Sequence, residues 1–122
     1  MESKYPYKYS DIQKIVEEKL TENAARKWIW ARKDIVDDMT SSESFKGLPP
    51  EEQDAIVISL QLDIPQVSVK RCLANEGTEE EMATLRSRIA ETFKYGKRSA
   101  IRPLKMALAA HPDLNPRRES GD

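Results

Sequence analysis

The sequence predicts an all-α fold: a compact bundle of five or six helices with a long N-terminal helix and a central tight three-helix unit. Three observations carry that expectation. Apolar residues recur at helical steps of three and four in every long segment. Prolines and glycines stand at the segment boundaries, where helices start and stop. The one β-branched run, Ile-Val-Ile within residues 55–62, has no second strand to pair with. At 122 residues the chain is sized for one domain.

Residues 1–9 read as a loose arm, with Tyr5, Tyr7 and Tyr9 alternating around Pro6 and packing on the domain edge. Ser10 and Gln13 have the spacing of a capping box, in which each side chain satisfies a free backbone N–H at a helix start. Ile12, Ile15, Val16 and Leu20 follow at helical spacing, and the stripe continues through Ala24, Trp28, Ala31, Ile35 and Met39. One long helix keeps that phase. The alternative is a break near residues 21–23, with Asn23 capping a second helix. Trp28, Ile29 and Trp30 place apolar bulk on more than one face, so at least one tryptophan points away from the stripe. Trp30 is then either covered by the C-terminal helix or, with Trp28, an anchor for a protein partner.

Residues 40–47 read as a loop tethered by Phe45. Pro49 and Pro50 followed by Glu51, Glu52 and Asp54 predict a helix start, with proline preset for the first turn and acids at the positive end of the dipole. Ala55, Ile56, Ile58, Leu60 and Leu62 make its buried side. Pro65 opens the next helix, with Val67, Val69, Cys72 and Leu73 turned inward or partly inward and Gly77 as its stop. Thr78 and Glu81 form another capping box, ahead of a helix carrying Met82, Leu85, Ile89 and Phe93 on one face and Arg86 and Arg88 on its outer side. Gly96 ends it. Leu104, Met106, Ala107 and Leu108 build a last short helix that Pro112 stops. The expected organisation is one helical domain over residues 1–111 and a disordered tail over 112–122.

Charge is segregated. Residues 1–33 hold eight Lys/Arg against five Asp/Glu, residues 34–83 three against twelve, and residues 84–122 nine against four. An acidic centre between basic flanks bears on partner choice, because phosphates avoid an acidic face. The lone cysteine, Cys72, excludes an internal disulfide framework and a cysteine-based zinc site, and its apolar neighbours predict a small buried hydrophobe. No apolar run approaches the length needed to span a bilayer, and the first ten residues lack the apolar core of a secretory signal. The expected location is intracellular and cytoplasmic, with no membrane partner.

Residues 55–74, ending in ISLQLDIPQVSVKRCLA, resemble a bacterial helix-turn-helix motif, with small Ser59 in the first helix and Leu62, Asp63 and Ile64 at the turn. The resemblance implies that Gln66, Ser68, Lys70 and Arg71 of the second helix contact nucleic acid. Asp63 stands where that family usually has glycine, and Glu51, Glu52, Asp54, Glu76 and Glu79 to Glu81 crowd the same unit. Residues 55–85 also resemble the ubiquitin-associated domain, a three-helix protein-binding module. Leu62, Asp63 and Ile64 replace its Met-Gly-Phe loop, and Leu73, Gly77 and Ala83 fall at its spacing. That resemblance implies a small apolar patch at Leu62 and Ile64, rimmed by acids and suited to a polypeptide. A third likeness lies at the end of the chain, where His111, Pro112, Asp113, Asn115 and Pro116 resemble the His-Pro-Asp loop of J-domain co-chaperones. It implies stimulation of a chaperone ATPase, whereas the local reading of the same residues is a helix stop.

No catalytic constellation stands out. There is one histidine, the acids at 79–81 and at 37–38 fan around a helix, and no phosphate-cradling glycine loop is present. The expectation is a protein that is not an enzyme and takes no metal or cofactor. Lys94, Lys97, Arg98, Arg102 and Lys105, with Tyr95 among them, form the strongest basic cluster. It is open to three readings: a solvated junction, a contact for nucleic-acid backbone, or a contact for the acidic centre of a second copy in a homo-oligomer. The leading expectation is a small helical binding protein that regulates a protein partner through Trp28, Trp30, Leu62, Asp63 and Ile64. The alternative is a helix-turn-helix transcription regulator, and co-chaperone activity stands third.

Overall fold

The computed structural model describes residues 9–114. They form six α-helices and no strand: α1 (Tyr9–Thr40), α2 (Glu43–Lys46), α3 (Pro50–Leu62), α4 (Gln66–Leu73), α5 (Glu79–Tyr95) and α6 (Arg102–Leu108), followed by a 3₁₀ turn at Pro112–Leu114. The all-α expectation holds, and α1 is a single helix of 32 residues. No break occurs at residues 21–23. The Thr21 hydroxyl donates back to the Glu17 carbonyl at 2.9 Å, a bond that stays within the helix and caps nothing. The helix already includes Tyr9, so Ser10 lies inside its first turn and does not cap it. Of the expected arm at residues 1–9, Tyr9 belongs to α1 and the rest lies outside the described residues; of the expected tail at 112–122, Pro112–Leu114 form the 3₁₀ turn with Leu114 buried, and the rest lies outside them.

The core gathers around α3, which packs against α1, α4, α5 and α6. Ala55, Val57, Ile58, Ser59, Gln61 and Leu62 of α3 are all buried, so this helix is covered on several sides. Leu85, Ile89, Phe93, Ile101, Leu104 and Leu108 close over it from the C-terminal half. The expected face of α6 needs one correction: Met106 points outward at 68% exposure, while Leu104, Ala107 and Leu108 face in. Val67 is likewise exposed, at 61%, whereas Val69 and Cys72 of α4 are buried in the core and Leu73 packs half-buried against it.

The boundaries follow local chemistry. Residues 43–46 are a one-turn helix instead of a loop, because Ser42 caps it by accepting from the Phe45 N–H. Phe45 is the buried tether expected of it. Gln53 donates to the carbonyls of Phe45 and Leu48, tying this turn to α3. The capping box of Thr78 and Glu81 forms as predicted. α4 stops earlier than Gly77 suggests: Ala74 is its C-cap, and Asn75 takes the left-handed backbone at φ 61°. Gly77 serves close approach instead, since a Cβ there would lie 2.8 Å from the Cys72 sulfur. Gly96 ends α5 for a similar reason, because a Cβ would stand 2.6 Å from the Thr92 carbonyl oxygen.

The long helix holds the main surprise. Among its described side chains the buried ones are Ile29 and Val36, two turns apart on one face. The stripe read from the sequence as inward is solvent-facing: Ile12, Ile15, Val16, Leu20, Ile35 and Met39 are between 40 and 63% exposed.

Candidate functional site

The end of α3 is where the molecule converges. Its last turn leaves carbonyls without intrahelical partners, and Asp63 turns the chain away in the left-handed region at φ 54°, ψ 50°. The Asp63 and Ile64 N–H groups both return to the Ser59 carbonyl. Two arginines from neighbouring helices then cap two of the remaining carbonyls. Arg32 of α1 donates through Nε to the Leu60 carbonyl at 2.6 Å, and Arg88 of α5 donates to the Leu62 carbonyl at 2.8 Å. Both place positive charge at the negative end of the helix dipole. Arg32 also stands 3.7 Å from the Asp63 carboxylate. Arg88 therefore does not belong to the outer side of α5, as its spacing suggested.

Above this junction α1 and α5 leave a cleft of about 350 Å³, lined by Ala25, Trp28, Asp63, Arg88, Glu91 and Thr92, with Ile29 at its base. Trp28 forms an aromatic wall at 37% exposure. Its lining is mixed: Ala25, Trp28 and Ile29 are apolar, and Asp63, Arg88, Glu91 and Thr92 are polar, so an amphipathic side chain finds both kinds of contact there.

Of the residues expected to bind protein, the structure brings Trp28 and Asp63 into this one cleft. Leu62 is fully buried beneath it and Ile64 is half-buried against the core, so the apolar patch implied by the ubiquitin-associated likeness is not an exposed one. Trp30 lies in a different groove, with Leu20, Ala24 and Ala31. It is 38% exposed, with the Lys33 ammonium 5.9 Å from its ring centroid. The C-terminal helix packs on α3, so it does not cover this tryptophan as one reading had it.

The residues expected to meet nucleic acid fall into two groups. On α4, Gln66, Lys70 and Arg71 are exposed and Ser68 is half-buried. Lys70 is 2.6 Å from the Glu52 carboxylate, and Arg71 forks onto Glu81 through Nε and Nη2. Hydrogen bonds from Arg71, from the Thr78 backbone and from Ser68 pull the Glu81 carboxyl down to about 2. The acids around α4 thus occupy its cations from within. In the C-terminal cluster, Lys97, Arg98, Arg102 and Lys105 surround a second cleft beside Met106. Lys94 separates from them and lies over the Tyr95 ring, 5.1 Å from its centroid.

His111, Pro112 and Asp113 follow α6, where the His111 N–H donates to the Leu108 carbonyl and buried Leu114 folds the turn onto the core. His111 faces Asp54, whose carboxyl is raised by burial and lowered in turn by the histidine. Burial pushes the Cys72 thiol up. Among the described residues, no group of three or more His, Cys, Asp or Glu gathers as metal ligands, and no helix is long and apolar enough to cross a membrane.

Arg32 and Arg88 escape sequence reasoning because each meets its carbonyl across more than twenty-five residues of chain. No local pattern marks such a pairing. Compared with models of protein families, with curated proteins and with solved structures, the chain matches none. The likenesses to helix-turn-helix, ubiquitin-associated and J-domain proteins therefore rest on their own few residues.

Proposed function

We infer that this chain is a non-enzymatic helical binding protein, acting in the cytoplasm, that regulates a protein partner by receiving an anchor side chain in the cleft between α1 and α5. The observation that carries this reading is Trp28: a large aromatic left 37% exposed at the wall of a cleft of mixed lining, beside Asp63 and Glu91. Tryptophan in such a setting is the residue type that most often dominates binding energy at protein interfaces. The ion pairs of Lys70 and Arg71 support a polypeptide partner over a groove of DNA, because they occupy the cations α4 would offer to phosphate. Immobilised full-length chain should capture one stoichiometric protein from cell lysate, and Trp28→Ala should lose it. Recovery of nucleic acid alone, or capture unchanged by Trp28→Ala, overturns the reading.

One observation favours a second reading. Lys97, Arg98, Arg102 and Lys105 gather around one cleft and, among the described residues, form no ion pairs like those that hold the α4 cations. On this reading the C-terminal cluster binds nucleic-acid backbone, and α4 does not. A gel shift on mixed DNA at low salt would then be lost in Arg98→Glu with Arg102→Glu but survive Lys70→Ala with Arg71→Ala.

A further inference from the structure

We propose that the cleft beside α6 binds single-stranded nucleic acid, with phosphates on its four cations and an unstacked base over Met106. This rests on the second reading of function, in which the C-terminal cluster meets nucleic-acid backbone, and adds the form of the strand.

The first observation is charge. The cleft, of about 790 Å³, is lined by Lys97, Arg98, Arg102, Lys105, Met106 and Ala109, and Ser99 adds a hydroxyl. Residues 92–112 hold five Lys or Arg and no Asp or Glu. Among the described residues, none of the four cations of the cleft is in an ion pair. An adjoining cleft shares Ser99, Arg102 and Met106 and contains two acids, Asp37 and Asp54. Both are engaged: Asp37 lies 2.6 Å from the Lys33 ammonium, and Asp54 faces His111. The ends of the chain hold no excess of acid to offset the cluster. Residues 1–8 carry two Lys against one Glu, and residues 115–122 two Arg against one Glu and one Asp. The four positive charges are left for an anion from another molecule.

The second observation is what stands among those charges. Arg102, Lys105, Met106 and Ala109 follow at helical steps of three and one, so they share one face of α6 and its end. Leu104, Ala107 and Leu108 occupy the other face and are buried. Met106 is 68% exposed, the highest value of any large apolar residue described. An apolar partner would leave the cations unpaired, and a purely ionic one would leave Met106 uncovered. The ligand that fits offers charge and an apolar face together.

Those two requirements select the single strand. A duplex shows phosphates outside, keeps its base faces stacked inside, and is read by an element that enters a groove. α6 has seven residues, about 10 Å of helix, and packs along α3, so it forms the wall of a cleft and no protruding reader. A single strand carries a phosphate on every unit and, beside it, a base whose face is free to stack. Arg98 and Arg102 supply guanidinium planes for such a face, and Met106 supplies a polarizable thioether. An acidic polypeptide matches the charge, but its carboxylates bring no flat apolar face with them.

The test is fluorescence anisotropy of the full-length chain with a labelled oligothymidylate and with a mixed-sequence DNA duplex of equal length, both at low salt. The single strand should bind about tenfold tighter or more. Its log affinity should fall with log salt at a slope of about −3, as four phosphate contacts on a single strand require. Arg98→Glu with Arg102→Glu, both exposed, should abolish binding. Met106→Ala should weaken the single strand about twofold to tenfold and leave the duplex unchanged, a split within one variant that misfolding cannot produce. Equal affinity for the two forms, or a Met106→Ala variant that does not distinguish them, overturns the single-strand proposal and leaves backbone binding standing. Displacement of the strand by polyglutamate at equal charge concentration overturns it too, because the cleft would then select charge alone. Binding of neither form at low salt overturns the second reading of function and the proposal together.

Discussion

Glu81 is held by more neighbours than any other carboxylate described. It accepts from Arg71 through two guanidinium nitrogens and from the Thr78 backbone N–H, and its carboxyl falls from the ordinary 4.5 to about 2. A group depressed on folding contributes stability that is fully present above its unfolded pKa and is lost as pH falls through the folded one. For Glu81 that loss falls between about 4.5 and about 2. Carbon-detected NMR should show this carboxylate titrating near pH 2, and Arg71→Ala should return it toward the ordinary glutamate range. A wild-type titration near 4.5 would mean that the fork does not form in solution. Asp63 presents a different balance. Its left-handed backbone, at φ 54°, costs a non-glycine residue about 1–2 kcal/mol, while its exposed pairing with Arg32 returns about 0–1 kcal/mol. Asp63→Gly should therefore match or slightly exceed the wild type in urea unfolding. Asp63→Ala, which keeps the strain and loses the pair, should fall below both. Equal stability of the alanine and glycine variants would show that the left-handed turn is not what constrains this position.

At the scale of elements, the arginine-capped end of α3 joins three helices through two hydrogen bonds, Arg32 to Leu60 and Arg88 to Leu62. Hydrogen bonds from a charged donor contribute about 1.5–3 kcal/mol, more than neutral ones. Arg32→Met and Arg88→Met should each lower the unfolding free energy by about 1–2 kcal/mol, as they retain much of the aliphatic packing. Arg32→Lys should recover little, because one ammonium cannot replace the planar fork that serves both Leu60 and Asp63. Full recovery by lysine would reduce the contact to simple charge. The same elements show where sequence was informative. The Thr78–Glu81 cap, the start of α3 at Pro50 and the inner face of α5 were legible because each signal lies within a few residues of its effect. The packing face of α1 was not. Its exposed stripe is more hydrophobic than the face that packs, where Ile29 and Val36 share space with half-buried Ala25 and Arg32. Spacing tells which residues share a face of a helix, but the rest of the chain decides which face it covers. For the candidate site, Trp28 and Asp63 stood out as an aromatic and a turn residue, while Arg88 and Glu91 could be placed only by the meeting of α1 with α5.

Taken whole, the molecule carries its candidate cleft and its C-terminal basic cluster on different elements. Trp28, Asp63 and Arg88 stand between α1 and α5, whereas Lys97, Arg98, Arg102 and Lys105 gather around the start of α6. That separation lets substitution tell the two readings of function apart. Trp28→Ala should abolish capture of a protein partner and leave any low-salt gel shift unchanged. Arg98→Glu with Arg102→Glu should do the reverse. All three side chains are exposed, outside the core of Ile29, Ile58, Leu62 and Ile89, so thermal unfolding of each variant should stay close to that of the wild type. If each substitution instead damages both capture and the gel shift, the two clefts serve a single partner.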